Sequence, residues 1–422
     1  MKYQKITLKN GLRVILAPMQ DTDTATVLIM TGVGSRYESR AENGLAHFLE
    51  HMFFKGTERR PTTLDITKEL DGLGAEFNAF TGEEYTGYYA KVASKHWMTA
   101  LDVVSDLFLN AKLEQEEIDR ERGAILQELN MREDMPRIRV EEHFKELLYG
   151  DTPLGWLTGG PKENIKSLMR KNFIKFLDRA YVAPNIVVGV AGKVDPKLVR
   201  KEIERIFADV RVGKKPTMKK AVEKQSVPGV VVQNKKTDQT HVVAGVRAFD
   251  MFHKDRATLS VLSTILGGGM SSRLFIEVRE RRGLAYAIRT GAELFLDAGY
   301  LSTYMGVEHE NLEKALKVVL DEYKKIATEL VGKDELKKAK ESIKGRMALG
   351  LEGSDDVVEY LVAQEVLQNQ IVLPKDKVKA IDRVTAEDVL RVAKMIFTDK
   401  RLNIAVIGPD AKKTKLEKLL HF

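Results

Sequence analysis

Two stretches from the first half of this 422-residue chain recur in its second half, in the same order, and that recurrence restricts the fold more than any single motif. Thr22-Asp23-Thr24 leads into ATVLIMTGV, and Thr237-Asp238-Gln239-Thr240 leads into HVVAGVRAF. Further on, PNIVVGVAG is echoed by RLNIAVIG at 401–408. A chain that repeats its element order in this way is two copies of one plan, each needing its own sheet and helices. The remaining segments fit. Residues 3–8 and 12–17 alternate apolar and polar around Asn10-Gly11, a tight-hairpin dipeptide, and 24–34 reads as a third strand. Residues 75–92 form a second alternating pair about Gly82. Helical periods cover 62–73, 95–110, 114–133, 138–148 and 171–180, then a strand at 185–192 and a helix from Asp195-Pro196. In the second half, helices are expected at 254–266 and 273–282, strands at 284–294 and 299–307, and helical segments from 309 to 397.

The stretch 213–228, GKKPTMKKAVEKQSVP, has five lysines, two prolines and no apolar period, and reads as a linker. The expected fold class is therefore α+β: two duplicated α/β-sandwich halves, 1–212 and 229–422, each a mixed sheet with helices on one face. Composition narrows the function classes. A net charge of +7 spread among 31% charged residues of both signs favours solubility over nucleic-acid binding. No run of eighteen apolar residues exists, which excludes a helical membrane span, and the N-terminus lacks the pattern of a signal peptide. Cysteine is absent, so any metal must be held by nitrogen and oxygen; a reducing cytoplasm is the expected compartment.

The most informative motif is NGLAHFLEHMFFKG, 43–56. At 3.6 residues per turn Leu45, Phe48, Leu49, Met52 and Phe53 share one arc, while His47, Glu50 and His51 share the opposite one. Two imidazoles one turn apart can ligate a single ion, with the carboxylate between them free to act as a base. A polar face that happens to hold two histidines is the plainer reading. A catalytic zinc site usually takes a third protein ligand. Candidates lie on EQEEIDRERGAILQELNMRED, whose apolar stripe is Ile118, Ile125 and Leu129 with Leu126 beside it. Glu121 and Glu128 border that stripe two turns apart, and spacing alone does not choose between Glu117, Glu121 and Glu128.

HFLEHMFFKGT followed by ERGAILQE resembles the pitrilysin-type inverzincin metallopeptidases, the superfamily of insulin-degrading enzyme. Length and wording are most similar to the branch of the mitochondrial processing peptidase and its bacterial relatives. The resemblance runs over nearly the whole chain, including GAEFNAFTGEEYTGYYAKV, GGGMSSRLF and RERRGLAY. It implies one zinc ion per subunit on His47, His51 and Glu128, with Glu50 as general base and Glu121 orienting a ligand histidine from behind. It also implies that Arg279 and Tyr286 bind the substrate backbone and approach the scissile carbonyl. Without the resemblance, Arg279, Arg281 and Arg282 read alike, as a solvated basic helix end. Asn78 and Ala79 match the family's peptide-binding edge strand, where an extended peptide can add itself by backbone pairing; an ordinary hairpin strand is the plainer reading. The triple glycine 267–269 lacks the Lys-Ser/Thr of a phosphate loop. The expected activity is a zinc endopeptidase acting on short or unfolded peptides as a homodimer. The alternative is a non-catalytic, regulatory half of a heterodimeric processing peptidase that only binds peptides.

Overall fold

Strand alternation places the valines, leucines and isoleucines of the repeated segments on both faces of two sheets, and helices cover those faces. The computed structural model describes residues 1–409 and 411–422. Strands run β1 Gln4–Thr7, β2 Arg13–Pro18, β3 Thr24–Thr31, β4 Glu76–Thr81, β5 Thr86–Ala93 and β6 Ile186–Gly192 in the first half. The second half adds β7 Gly229–Asn234, β8 Thr240–Arg247, β9 Ala285–Leu294, β10 Gly299–Val307 and β11 Leu402–Gly408. Among the described residues the sheet orders are β1-β2-β6-β3-β5-β4 and β7-β11-β8-β10-β9.

Removing β1 makes the two orders superimpose. In each, the first pair is parallel (β2 with β6, β7 with β11), and every following neighbour is antiparallel. The echoed sequences ATVLIMT and HVVAGVR are thus β3 and β8, and NIVVGVAG and NIAVIG are β6 and β11. The chain is a mixed α/β fold of two repeated halves. Two local readings change. GVVVQN forms β7, a strand hidden in the sequence beside the lysine-rich linker. The expected helix at 273–282 is π-helical over Phe275–Glu280.

The chain divides into two compact units that are not the continuous halves 1–212 and 229–422. One comprises 1–129, 156–219 and 348–373; the other comprises 130–155, 220–347 and 374–422. The physical reason lies in the sheets. In the first unit, Val27, Ile29, Val188 and Val190 face the core formed with helices Leu45–Met52 and Trp97–Asn110. Their neighbours Leu28, Met30, Val187 and Ala191 point the other way, against Val357, Val358, Leu361 and Val362 of helix Ser354–Gln368. That helix comes from the second half of the sequence. Gly189 leaves it room: a Cβ there would lie 2.3 Å from Val362 Cγ2. Buried Glu365 takes Arg13 at 2.9 Å and Lys5 at 2.8 Å, and Ser354 meets the hydroxyls of Thr24 and Thr26, so the helix is tied at both ends. The second unit is built likewise. Its sheet packs on helices Arg256–Gly267, Leu312–Thr328 and Ala386–Ile396 on one face. On the other face lie Val140, Phe144 and Leu148 of helix Pro136–Tyr149, a first-half segment.

Candidate metal centre

The motif folds as a helix over Leu45–Met52 followed by a single 3-10 turn, Phe53–Lys55. Gly44 precedes it at φ 101°, a conformation that L side chains adopt reluctantly. Leu45, Phe48, Leu49, Met52 and Phe53 are all fully buried, which fixes the helix by its apolar face. Phe48 meets Phe173 edge to face at 5.0 Å and Phe53 stacks on Tyr88 at 4.7 Å. The N-terminus is held by the buried Glu38 carboxylate, which accepts from Gly44 N (2.9 Å), Ala46 N (2.6 Å) and Asn43 Nδ2 (3.0 Å). These amides would otherwise be unsatisfied, so Glu38 serves as the cap that the motif itself lacks. Burial pushes the Glu38 carboxyl up to about 8, against the pull of those three donors.

With its apolar face seated, the helix turns His47, Glu50 and His51 outward, each only partly buried. The two imidazoles stand edge to face with centroids 4.8 Å apart. Helix Gln115–Asp134 passes opposite and brings Glu128 between them: Oε1 is 3.5 Å from His47 Nε2 and Oε2 is 3.5 Å from His51 Nε2. His47, His51 and Glu128 each offer one ligand atom within 4.8 Å of the others, and are the one such group among the described residues. Two ligand atoms about 2.0–2.1 Å from a tetrahedral zinc ion stand roughly 3.3–3.4 Å apart. The donor spacing and the all-nitrogen-and-oxygen donor set therefore fit zinc.

The other glutamates of that helix have different partners. Glu121 Oε1 lies 2.9 Å from His51 Nδ1, and its Oε2 takes Lys55 Nζ at 2.5 Å. Glu117 pairs with Arg120 on its own helix. Burial works to lower the His51 pKa, but hydrogen bonds to Glu121 and Glu128 outweigh it and raise it to about 9. Glu128 is held well below the usual carboxylate range by hydrogen bonds from His47 and His51. For Glu121, burial raises the pKa and bonds to His51 and Lys55 overcome it, leaving a net lowering. His47 Nδ1 is buried without a hydrogen-bond partner among the described residues, so packing orients that ring.

Glu50 accepts a 2.5 Å hydrogen bond on Oε2 from Thr81 Oγ1, a residue the sequence reading did not single out. Thr81 ends β4, which is the edge strand of its sheet. Asn78 and Ala79 lie on the same strand. Asn78 is exposed, and its Oδ1 accepts from Ala79 N at 2.9 Å. Arg279 and Tyr286 lie in the second unit and form a pair of their own. The guanidinium carbon sits 5.0 Å from the Tyr286 ring centroid and 4.8 Å from that of Phe275. Arg281 and Arg282 instead bind Glu277, each at 2.5 Å, so the three arginines are not equivalent. Tyr286 is 76% exposed, unusual for so large an aromatic ring.

Two family patterns match the chain: the insulinase pattern of peptidase family M16 over 13–162, and the peptidase M16 inactive domain over 167–343. The chain is similar to an uncharacterized zinc protease of Streptomyces coelicolor, 34% identical over 412 residues, spanning 96% of this chain and 89% of that one. A second uncharacterized zinc protease, from Mycobacterium leprae, is 35% identical over 419 residues, spanning 99% and 94%. Among solved structures, a protease from Helicobacter pylori matches with a TM-score of 0.90 and 25% identity over 97% of this chain and 99% of that one. With these matches and a His-His-Glu group of zinc dimensions, the chain belongs to the insulinase-type peptidase family M16.

Proposed function

We propose that this protein is a zinc-dependent endopeptidase that cuts short or unfolded peptides. His47 Nε2, His51 Nε2 and the Glu128 carboxylate would hold the ion, one per subunit. When bound, zinc supplies Lewis-acid polarisation of the scissile carbonyl and lowers the pKa of a coordinated water toward about 7. Glu50 takes a proton from the attacking water as its oxygen adds to the carbonyl carbon, and returns that proton to the amine as the C–N bond breaks. Glu121 holds His51 by Nδ1, so that Nε2 keeps its lone pair for the ion. An extended peptide would pair with the β4 edge at Asn78 and Ala79, a mode that tolerates many sequences. Arg279 and Tyr286 would donate hydrogen bonds to the substrate, worth about 2.7–4 kcal/mol for each well-placed oxyanion donor.

The observation that carries this reading is the convergence of three donor groups at ion-sized spacing beside a carboxylate engaged by a separate hydroxyl. We further propose a homodimer in which each site takes Arg279 and Tyr286 from the partner copy, since one chain carries both sets. A cysteine-free chain gives up nothing in a reducing compartment, and we place the protein in the cytoplasm. A purely peptide-binding subunit would have no need of the intact donor set. The test is digestion of a peptide library with fragment identification, before chelation, after it, and after zinc is restored. Cleavage should disappear and return. Zinc-loaded protein that binds peptides but cuts none would favour the regulatory-subunit reading.

A further inference from the structure

The carboxylate between the two histidines has a partner that lies outside the motif. Thr81 Oγ1 donates to Glu50 Oε2 at 2.5 Å, from a different element and 31 residues further along the chain. The threonine hydroxyl is the donor of this bond and the carboxylate oxygen its acceptor. Its geometry follows from strand parity. Ala79 is buried in the core that also contains Leu49 and Met52, and Thr81, two residues on, points to the same face of β4. Asn78 and Phe80 point to the other face. Branching at Cβ restricts the threonine's χ1, which fixes the hydroxyl further.

The loop before the histidine helix braces both partners. Ser35 N and Arg36 N donate to Gly82 O (3.2 Å) and Glu83 O (2.9 Å), in the turn that follows Thr81. The Arg36 guanidinium binds Glu84 at 2.5 Å, and both side chains are almost wholly buried. Gly34 makes this approach possible, because a Cβ there would fall 2.1 Å from Gly82 O. Two residues past Arg36, Glu38 caps the helix that carries Glu50. One short loop thus fastens the end of β4 and the start of the histidine helix, and sets the distance between Thr81 and Glu50.

We propose that Thr81 is the positioning residue of Glu50. Its hydroxyl occupies Oε2 and fixes the carboxylate's rotation, leaving Oε1 to meet the attacking water. The proposal rests on the peptidase reading of this site. Because Thr81 also ends the strand on which a peptide would be seated, it links substrate position to base position. A carboxylate free to rotate would face the water in only part of its orientations, so the loss falls on turnover rather than on binding.

The experiment compares Thr81→Val, nearly isosteric but without the hydroxyl, with Thr81→Ser, which keeps it. Zinc content, kcat and KM are measured on one quenched peptide. Thr81→Val should keep its zinc and its KM and lose kcat roughly 10- to 100-fold, the range of a hydrogen bond to a charged group. Thr81→Ser should restore most of the rate. An activity-independent arm uses glutamate labelled at the carboxyl carbon, with the Glu50 resonance assigned by its absence from Glu50→Gln. That signal should move in Thr81→Val and stay in Thr81→Ser. Wild-type kcat in Thr81→Val, a serine variant as slow as the valine one, or an unmoved resonance would each overturn the proposal. If the wild type cuts no peptide, the peptidase reading falls alone, and the resonance still decides whether Thr81 holds Glu50.

Discussion

His51 is held from two sides, and the rear contact is where a single substitution says most. Lys55 Nζ sits 2.5 Å from Glu121 Oε2, and Glu121 Oε1 sits 2.9 Å from His51 Nδ1, a relay that fixes ring orientation. Glu121→Gln should weaken zinc binding about 10- to 100-fold, read by competition with a chromogenic chelator, without unfolding the chain. In the second unit, Asp255 makes a two-oxygen contact with Arg391 at 2.7 and 2.9 Å, and that hydrogen bonding lowers its pKa. A depressed folded pKa adds stability above the unfolded value near 3.9 and loses it as pH falls through the folded value. Asp255→Asn should therefore lower stability by about 1 kcal/mol at neutral pH, with the gap closing in acid unfolding below about pH 4. Residues within one helix were legible. The buried arc and the His47, Glu50, His51 arc follow from a 3.6-residue period. Glu128 was not separable from Glu117 and Glu121 by spacing, because the choice depends on where a second helix crosses the first. Thr81 left no signal at all, since its bond to Glu50 joins a strand end to a helix face.

At the scale of elements, the covering of each sheet's second face is the feature the sequence disclosed least. IVVGVAG of β6 and LNIAVIG of β11 are buried at every position, and such runs, apolar but for Asn403, do announce strands packed on both faces. Which helix covers the second face depends on pairing between distant segments, and periodicity carries no address. Helix Ser354–Gln368 gives no clear amphipathic pattern because buried polar residues, Ser354 and Glu365, fall on the same arc as Val357, Val358, Leu361 and Val362. Leu361 is fully buried against the first sheet. Leu361→Ala should cost about 2–5 kcal/mol and lower the denaturant midpoint, although its core is not the one that seats Leu49 and Met52 of the histidine helix. An unchanged midpoint would mean that this helix is not part of the first unit's core. Strand β7 was missed for a related reason: among the described residues GVVVQN pairs with β11 alone, which lies at the far end of the second half. Hairpins, whose partners are neighbours in sequence, were placed almost to the residue.

Across the whole molecule, one plan used twice carries two different sets of chemical groups. The first unit holds His47, Glu50, His51, Glu121 and Glu128; the second holds Arg279 and Tyr286. If two copies share their sites, Glu50→Gln and Tyr286→Phe subunits, each nearly inactive alone, should regain activity when mixed, because a mixed dimer then contains one intact site. No recovery, with subunit exchange demonstrated by mass, would count against sharing. The repeated sheet order was legible from the echoed strands; HFLEH, by contrast, occurs once in the sequence, in the first half. The proposed mechanism has Glu50 perform the chemistry beside a zinc ion held by His47, His51 and Glu128. Its most direct test is the single-turnover cleavage rate of Glu50→Gln against wild type at equal measured zinc content. Glu50→Gln should show full zinc occupancy and a rate at least about 100-fold lower, the usual scale of general-base catalysis. Cleavage by zinc-loaded Glu50→Gln at the wild-type rate would contradict it.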